Sequence, residues 1–260
     1  MIFLQFTLLA LLVTVNALPF REILSNAGKN GTLVDVHEFP YLVQVIVDCP
    51  GSWSTINLGV ILSAKYVLSA DSDRPPCNYS VWVNQDEENK NGVMYQIESM
   101  HVNNTVFEGY DNFWSDLNMF LFKLSEPIKL GYLAQPITIS DKVVSGDKGT
   151  LIDLDSERTL YKESKIYKVN VTAFDVNDCR VWDNTYVKYK HPAEPEGSVC
   201  TIDPFAKYPK YSSSILVING RVAAWQFALQ SFNDNHILYQ LNLFNELYKY
   251  NDWIKRFVDV

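Results

Sequence analysis

From residue 39 to residue 243 the chain is a succession of short apolar runs, each closed by turn-forming residues. Residues 41–47, YLVQVIV, are β-branched and aromatic, and the turn pair Pro50-Gly51 follows soon after. Runs on the same length scale stand at 59–62, 66–68, 81–83, 94–97 and 117–124, the last stopped by Ser125-Glu126-Pro127. A second series follows at 167–171, 214–218, 222–227 and 237–243. β-Branched and aromatic side chains fit a pleated, half-buried surface, so many short runs of this kind predict an all-β sandwich or barrel architecture. Only residues 246–258 read otherwise. There Leu247, Tyr250, Ile254 and Phe257, with Trp253, recur at helical spacing and predict a C-terminal α-helix. No low-complexity linker or short-period repeat divides the chain.

The chain has 260 residues, enough for one or two domains with a real core. Its 47% hydrophobic and 20% charged residues exclude disorder, collagen and coiled coil. With 22 Lys+Arg against 30 Asp+Glu the net charge is −8, and no basic block interrupts that balance. This argues against nucleic acid and against an anionic membrane as partner. Residues 1–17, MIFLQFTLLALLVTVNA, carry no charged side chain. Residues 6–15 fit a secretory hydrophobic region, and Val15-Asn16-Ala17 supplies small residues at the cleavage positions. A signal peptide over 1–17 and a secreted, extracellular protein are therefore expected, with an uncleaved anchor as the alternative.

Secretion sets how the cysteines read. Cys49, Cys77, Cys179 and Cys200 can pair in three ways, and their spacing matches no CxxC or Cys/His zinc pattern. Sequons at Asn30, Asn78, Asn103 and Asn170 are glycan acceptors expected on surface loops. The four histidines, His37, His101, His191 and His236, form no H-x-x-x-H or H-E-x-x-H pattern and read as surface or turn residues. No metal and no cofactor are expected.

Four segments, in order, resemble the chymotrypsin/trypsin-like serine proteases. Glu38-Phe39-Pro40-Tyr41-Leu42-Val43 looks like the first strand of that family. Residues 59–70, GVILSAKYVLSA, look like the strand leading to the catalytic histidine, GGSLISxxWVLTAAHC. Residues 118–127, NMFLFKLSEP, are similar to the DIALLKLxxP strand that opens with the catalytic aspartate. Tyr250-Asn251-Asp252-Trp253-Ile254 resembles the closing helix. The resemblance covers nearly all of residues 28–260, after a short extension at 18–27. It implies two six-stranded antiparallel β-barrels (roughly 28–135 and 136–245), a cleft between them, and a C-terminal helix over 246–258.

The family's chemistry needs a serine nucleophile, a histidine base and an aspartate that orients the histidine. The resemblance puts Ser72 at the histidine position and Asn118 at the aspartate position. Residues 210–216, KYSSSIL, lie on GDSGGPL, so Ser212 holds the nucleophile position. A serine without its base is an ordinary alcohol, and removing the base from such a site costs on the order of 10⁶ in turnover. Lys210 and Ser213 replace the glycines that flank the nucleophile, one of which lets the backbone approach an oxyanion. The activation machinery differs as well. The segment matching the family's new N-terminus is Gly28-Lys29-Asn30-Gly31 after Ala27, and Tyr211 stands where the aspartate that receives the ammonium belongs.

Ala206 occupies the position of the specificity aspartate, and the Ser-Trp-Gly edge that pairs with substrate falls on Phe227-Ala228-Leu229. Cys179 and Cys200 match the family's disulfide in the second barrel. Cys49 and Cys77 flank a family bridge whose positions here are Asn57 and Asp73, which implies a relocated Cys49–Cys77 staple. The reading is a secreted, catalytically inactive protease homologue with a protein partner: a protease, an inhibitor or a cascade component. Such a homologue serves as cofactor, adaptor or decoy, or as a venom or salivary component. Two other classes stay open, an active hydrolase using Ser212 with an unrecognised base and a small-ligand carrier built on a remodelled cleft.

Overall fold

Among the described residues every strand pairs antiparallel with its neighbours, and twelve of them close into two rings. A computed structural model describes residues 32–33, 38–50, 54–71, 77–83, 92–104, 118–155, 165–175, 178, 198–203, 214–234 and 237–258. After a two-residue arm, β1 (Thr32–Leu33), come β2 (Leu42–Asp48), β3 (Thr55–Ser63), β4 (Tyr66–Asp71), β5 (Asn78–Val83), β6 (Val93–Asn104) and β7 (Asn118–Leu124). They form a closed barrel in the order β2-β3-β4-β7-β6-β5. The second ring uses β8 (Lys148–Asp155), β9 (Lys165–Asp175), β10 (Ser198–Asp203), β11 (Ile215–Ile218), β12 (Arg221–Asp234) and β13 (Ile237–Glu246). Their order is β9-β10-β13-β12-β11-β8, and the β8–β9 ladder closes it. The two-barrel architecture expected from the sequence is the one observed.

Period-two alternation sorts the apolar side chains into three cores. Val43, Val45 and Val47 of β2 fill the first barrel with Val81, Val83, Phe120 and Phe122. Gly59 lies among them, and a Cβ there would come within 2.8 Å of a Val43 methyl, so the packing requires glycine. Leu151, Val171, Val199, Leu216 and Phe244 fill the second barrel. Alternate residues on the facing walls form the seam between the barrels: Leu58, Val60, Met119 and Leu121 against Ile152, Ile215, Val222 and Trp225. Strand β7 is thus buried on both faces, which is why 118–124 reads as a continuous apolar run. The connecting segment is tied first to one barrel and then to the other. Gln135 N–H donates to the Pro40 carbonyl (3.0 Å), and Val222 N–H donates to the Thr138 carbonyl (3.0 Å).

Several expectations are corrected. The C-terminal helix is shorter than 246–258: Glu246 still belongs to β13, a 3-10 turn covers Leu247–Tyr250, and the α-helix, α1, is Asn251–Ile254. Helical spacing of Leu247, Tyr250 and Ile254 remains because all three pack into the seam, whichever helical form carries them. Residues 32–33, expected with the first barrel, pair with Lys168 and Tyr167 of β9 in the second. The sequons expected on loops lie on strands: Asn78 opens β5 and Asn170 sits in β9, both exposed, while Asn103 is half-buried near the end of β6. An outward position on an antiparallel strand reaches solvent as a loop does. Asn30 lies outside the described residues.

The Cys49–Cys77 disulfide is present. It sits one step beyond the last β2–β5 ladder pair, Asp48↔Asn78, and so closes the end of that hairpin-like seam. Cys200, buried in β10, is also disulfide-bonded, and its expected partner Cys179 lies outside the described residues.

Candidate functional site

Asn118 opens β7 at the same end of the first barrel where β4 finishes. Its ladder partners are Asp71 on β4 and Asn104 on β6, and it is buried. The β4–β7 register therefore brings the residue before Ser72 directly beside Asn118. A carboxamide at this point donates and accepts hydrogen bonds but carries no charge, so it cannot offset an imidazolium as a carboxylate does. Ser72 and Ser212 lie outside the described residues, as do Ala206, Lys210, Tyr211 and Ser213. The activation segment 27–31 lies outside them too.

His101 is the only histidine among the described residues, and it lies on a strand rather than in a turn. It is half-buried in β6 opposite Leu121, with its ring stacked on Phe257 at 3.9 Å. That places it three rungs from Asn118, about 10 Å along the ladder, on the sheet face that carries Leu121 rather than the one that carries Phe120. No group of three His, Cys, Asp or Glu side chains among the described residues is arranged to hold a metal ion.

The second barrel has a feature that sequence reasoning missed. One end of its interior is a layer of hydrogen-bonded polar side chains drawn from five strands or their edges. Ser214, immediately before β11, donates through Oγ to Asp153 Oδ1 on β8 at 2.9 Å. Gln226 on β12 donates its backbone N–H to the Ser214 carbonyl (2.9 Å) and its Nε2 to Asn242 Oδ1 on β13 (3.0 Å). Asn242 Nδ2 donates in turn to Thr201 Oγ1 on β10 at 3.4 Å. Ser214, Gln226, Asn242 and Thr201 are all buried. Two residues along each strand stand Leu151, Leu216, Ala224, Phe244 and Val199, the apolar filling of the same barrel. The polar layer is thus the next tier of that interior, each polar residue keeping the inward phase of an apolar one once the strands are in register.

Just past Gln226 the β12–β13 ladder shifts register before Ala228, so Phe227 is the extra residue of a bulge. The segment Phe227-Ala228-Leu229 consequently begins directly above the closed tier. Any side chain entering the barrel from that edge would have to displace this buried hydrogen-bond network.

At the other end of the inward face of β13 stands Glu246, 1% exposed, whose Oε1 accepts the Val143 N–H at 2.7 Å. Burial raises its pKa above the ordinary carboxylate range, against the lowering effect of that hydrogen bond and of Lys249 and Lys142.

No family model and no curated protein matches the chain. Solved structures do. The scabies mite inactivated protease paralogue S-I1 superposes with a TM-score of 0.64 at 19% identity, over 88% of this chain and 98% of that one. Its counterpart S-D1 gives 0.62 at 18% identity, over 86% and 94%. Neuropsin, a serine protease of the mouse limbic system, gives 0.62 at 15% identity, over 87% and 98%. The chain has the trypsin-like serine protease fold. Within the trypsin-like fold, the described part of the site is Asn118 at the mouth of the first barrel and the closed polar tier at the end of the second.

Proposed function

We propose that this chain is a secreted, non-catalytic homologue of the trypsin-like proteases that works by binding a protein partner. The partner is a protease, an inhibitor or another component of an extracellular proteolytic pathway, and the chain serves there as cofactor, adaptor or decoy. The observation that carries this reading is the neutral, buried Asn118 at the start of β7, where the family's chemistry calls for a carboxylate. The Ser72 identity at the base position argues in the same direction. The polar tier of Ser214, Asp153, Gln226, Asn242 and Thr201 supports it further, because it occupies space with the chain's own side chains beside the edge segment at Phe227. The likeness to two inactivated paralogues agrees with it. An acidic balance of −8 favours a protein partner over nucleic acid or an anionic membrane.

The test is a peptide-library cleavage assay on the secreted, glycosylated protein run beside Ser212→Ala. The two are expected to be indistinguishable, and a pull-down from the native secretion then identifies the partner. Cleavage by the parent that disappears in Ser212→Ala would overturn the proposal.

A further inference from the structure

Residues that follow the former nucleophile position are held by a contact that owes nothing to a cleaved N-terminus. In antiparallel register Ile215 faces Ile152, so Ser214 and Asp153 stand opposite one another one step beyond the last β11–β8 pair. Their 2.9 Å hydrogen bond continues that ladder through side chains. On its other side the Ser214 carbonyl accepts the Gln226 N–H, one step beyond the Ile215↔Trp225 pair of β12. Ser214 is therefore gripped from both neighbouring strands and is itself 1% exposed, while its acceptor Asp153 is half-buried. The acceptor on β8 is a carboxylate, and a hydrogen bond to a charged acceptor is about twice as strong as a neutral one.

We infer that Asp153 and Ser214 form a built-in anchor that sets the start of β11 in its final position in the uncut chain. This rests on the non-catalytic reading and deepens it. By the family resemblance the chain carries neither the aspartate nor the basic cleavage residue of an activation switch, having Tyr211 and Ala27 there. A chain of this kind sets the start of β11 on folding and needs no proteolytic trigger to do so. Asp153 and Ser214 are positioning residues in this scheme. They hold strand geometry and touch no reacting group.

Hydrogen exchange of the secreted full chain, read by mass spectrometry at Gln226 and across 215–218, tests the anchor. Ser214→Ala and Asp153→Ala are each expected to speed exchange there by about tenfold, the size of one charge-assisted hydrogen bond. The double variant is expected to exchange no faster than either single one, because all three remove the same bond. Asp153→Asn, which keeps a neutral Oδ1 acceptor, should exchange faster than the parent but slower than Asp153→Ala, and provides a folded comparison if an alanine variant fails to fold. Additive effects, or exchange unchanged in Ser214→Ala and Asp153→Ala, would overturn the inference. So would parental exchange at these sites that slows only after an engineered cut at Ala27. Exchange rates are independent of peptidase activity, so an active enzyme would sink the functional proposal and leave this measurement to stand or fall alone.

Discussion

A carboxylate shut away from water holds its proton longer than one in solvent, and Glu246 is such a group. Its native pKa lies above the value in the unfolded chain, so across the interval between the two the native state binds more protons. Stability is then greatest below the unfolded value and falls as pH rises through the raised native one. Glu246→Gln keeps an oxygen to accept the Val143 N–H and removes the titration. Urea unfolding should show Glu246→Gln more stable than the parent at pH 7, with the gap closing by about pH 3.5, where a free carboxyl is mostly protonated. Parallel pH profiles for the two proteins would contradict that account. Glu246 also marks what single residues did not disclose. In the stretch LNLFNE nothing distinguishes Asn242, Phe244 and Glu246 as one inward row until the ladder partners of β13 are known.

At the scale of elements, legibility followed burial. Strands buried on both faces, such as β7 and β11, announce themselves as unbroken apolar runs. Strand β8, KGTLIDLD, did not: Gly149 and the two acids interrupt the pattern. Yet Asp153 is there because Ser214 binds it, so the missed strand and the missed site residue have one cause. Strand β10, SVCTID, was overlooked likewise, its inward Thr201 being polar by virtue of Asn242. The Cys49–Cys77 staple was foreseen from the family likeness, and its energetic role can be measured. The bond closes a loop with a sequence separation of 28, which by chain entropy restricts the unfolded state by about 3–4 kcal/mol. Replacing both cysteines by serine should lower the denaturant midpoint accordingly. A loss well under 1 kcal/mol would mean the end of the β2–β5 ladder is held by other contacts.

For the molecule as a whole, the seam matters more than either barrel interior. It joins β3, β4 and β7 to β8, β11 and β12, and the C-terminal turn seals it with Leu247, Tyr250, Ile254 and Val258. Ile254 is fully buried, so Ile254→Ala should cost about 2–5 kcal/mol. Because the seam is shared, the loss should appear in both barrels at once: tryptophan fluorescence, to which Trp225 in the seam and Trp82 on β5 contribute among six tryptophans, should coincide with far-UV circular dichroism in a single transition. Two separated transitions would show that each barrel stands alone. This scale also explains what of the site was readable. The chemical identities Ser72, Asn118 and Ser212 are written in the chain, whereas the closure of the second barrel is a product of register among five strands and becomes visible only when they are assembled.

One consequence concerns the β12–β13 hairpin. Its last rungs, Phe232↔Tyr239, Asn233↔Leu238 and Asp234↔Ile237, extend beyond Gln240↔Asp203, where β10 stops, and among the described residues they carry no third strand. The hairpin therefore behaves as a ruler fixed at its base. Adding two residues to each strand would lengthen it by about 7 Å and preserve the phase of every side chain below. The hairpin's reach can thus be adjusted in discrete steps, while folding, governed by the seam, is left untouched.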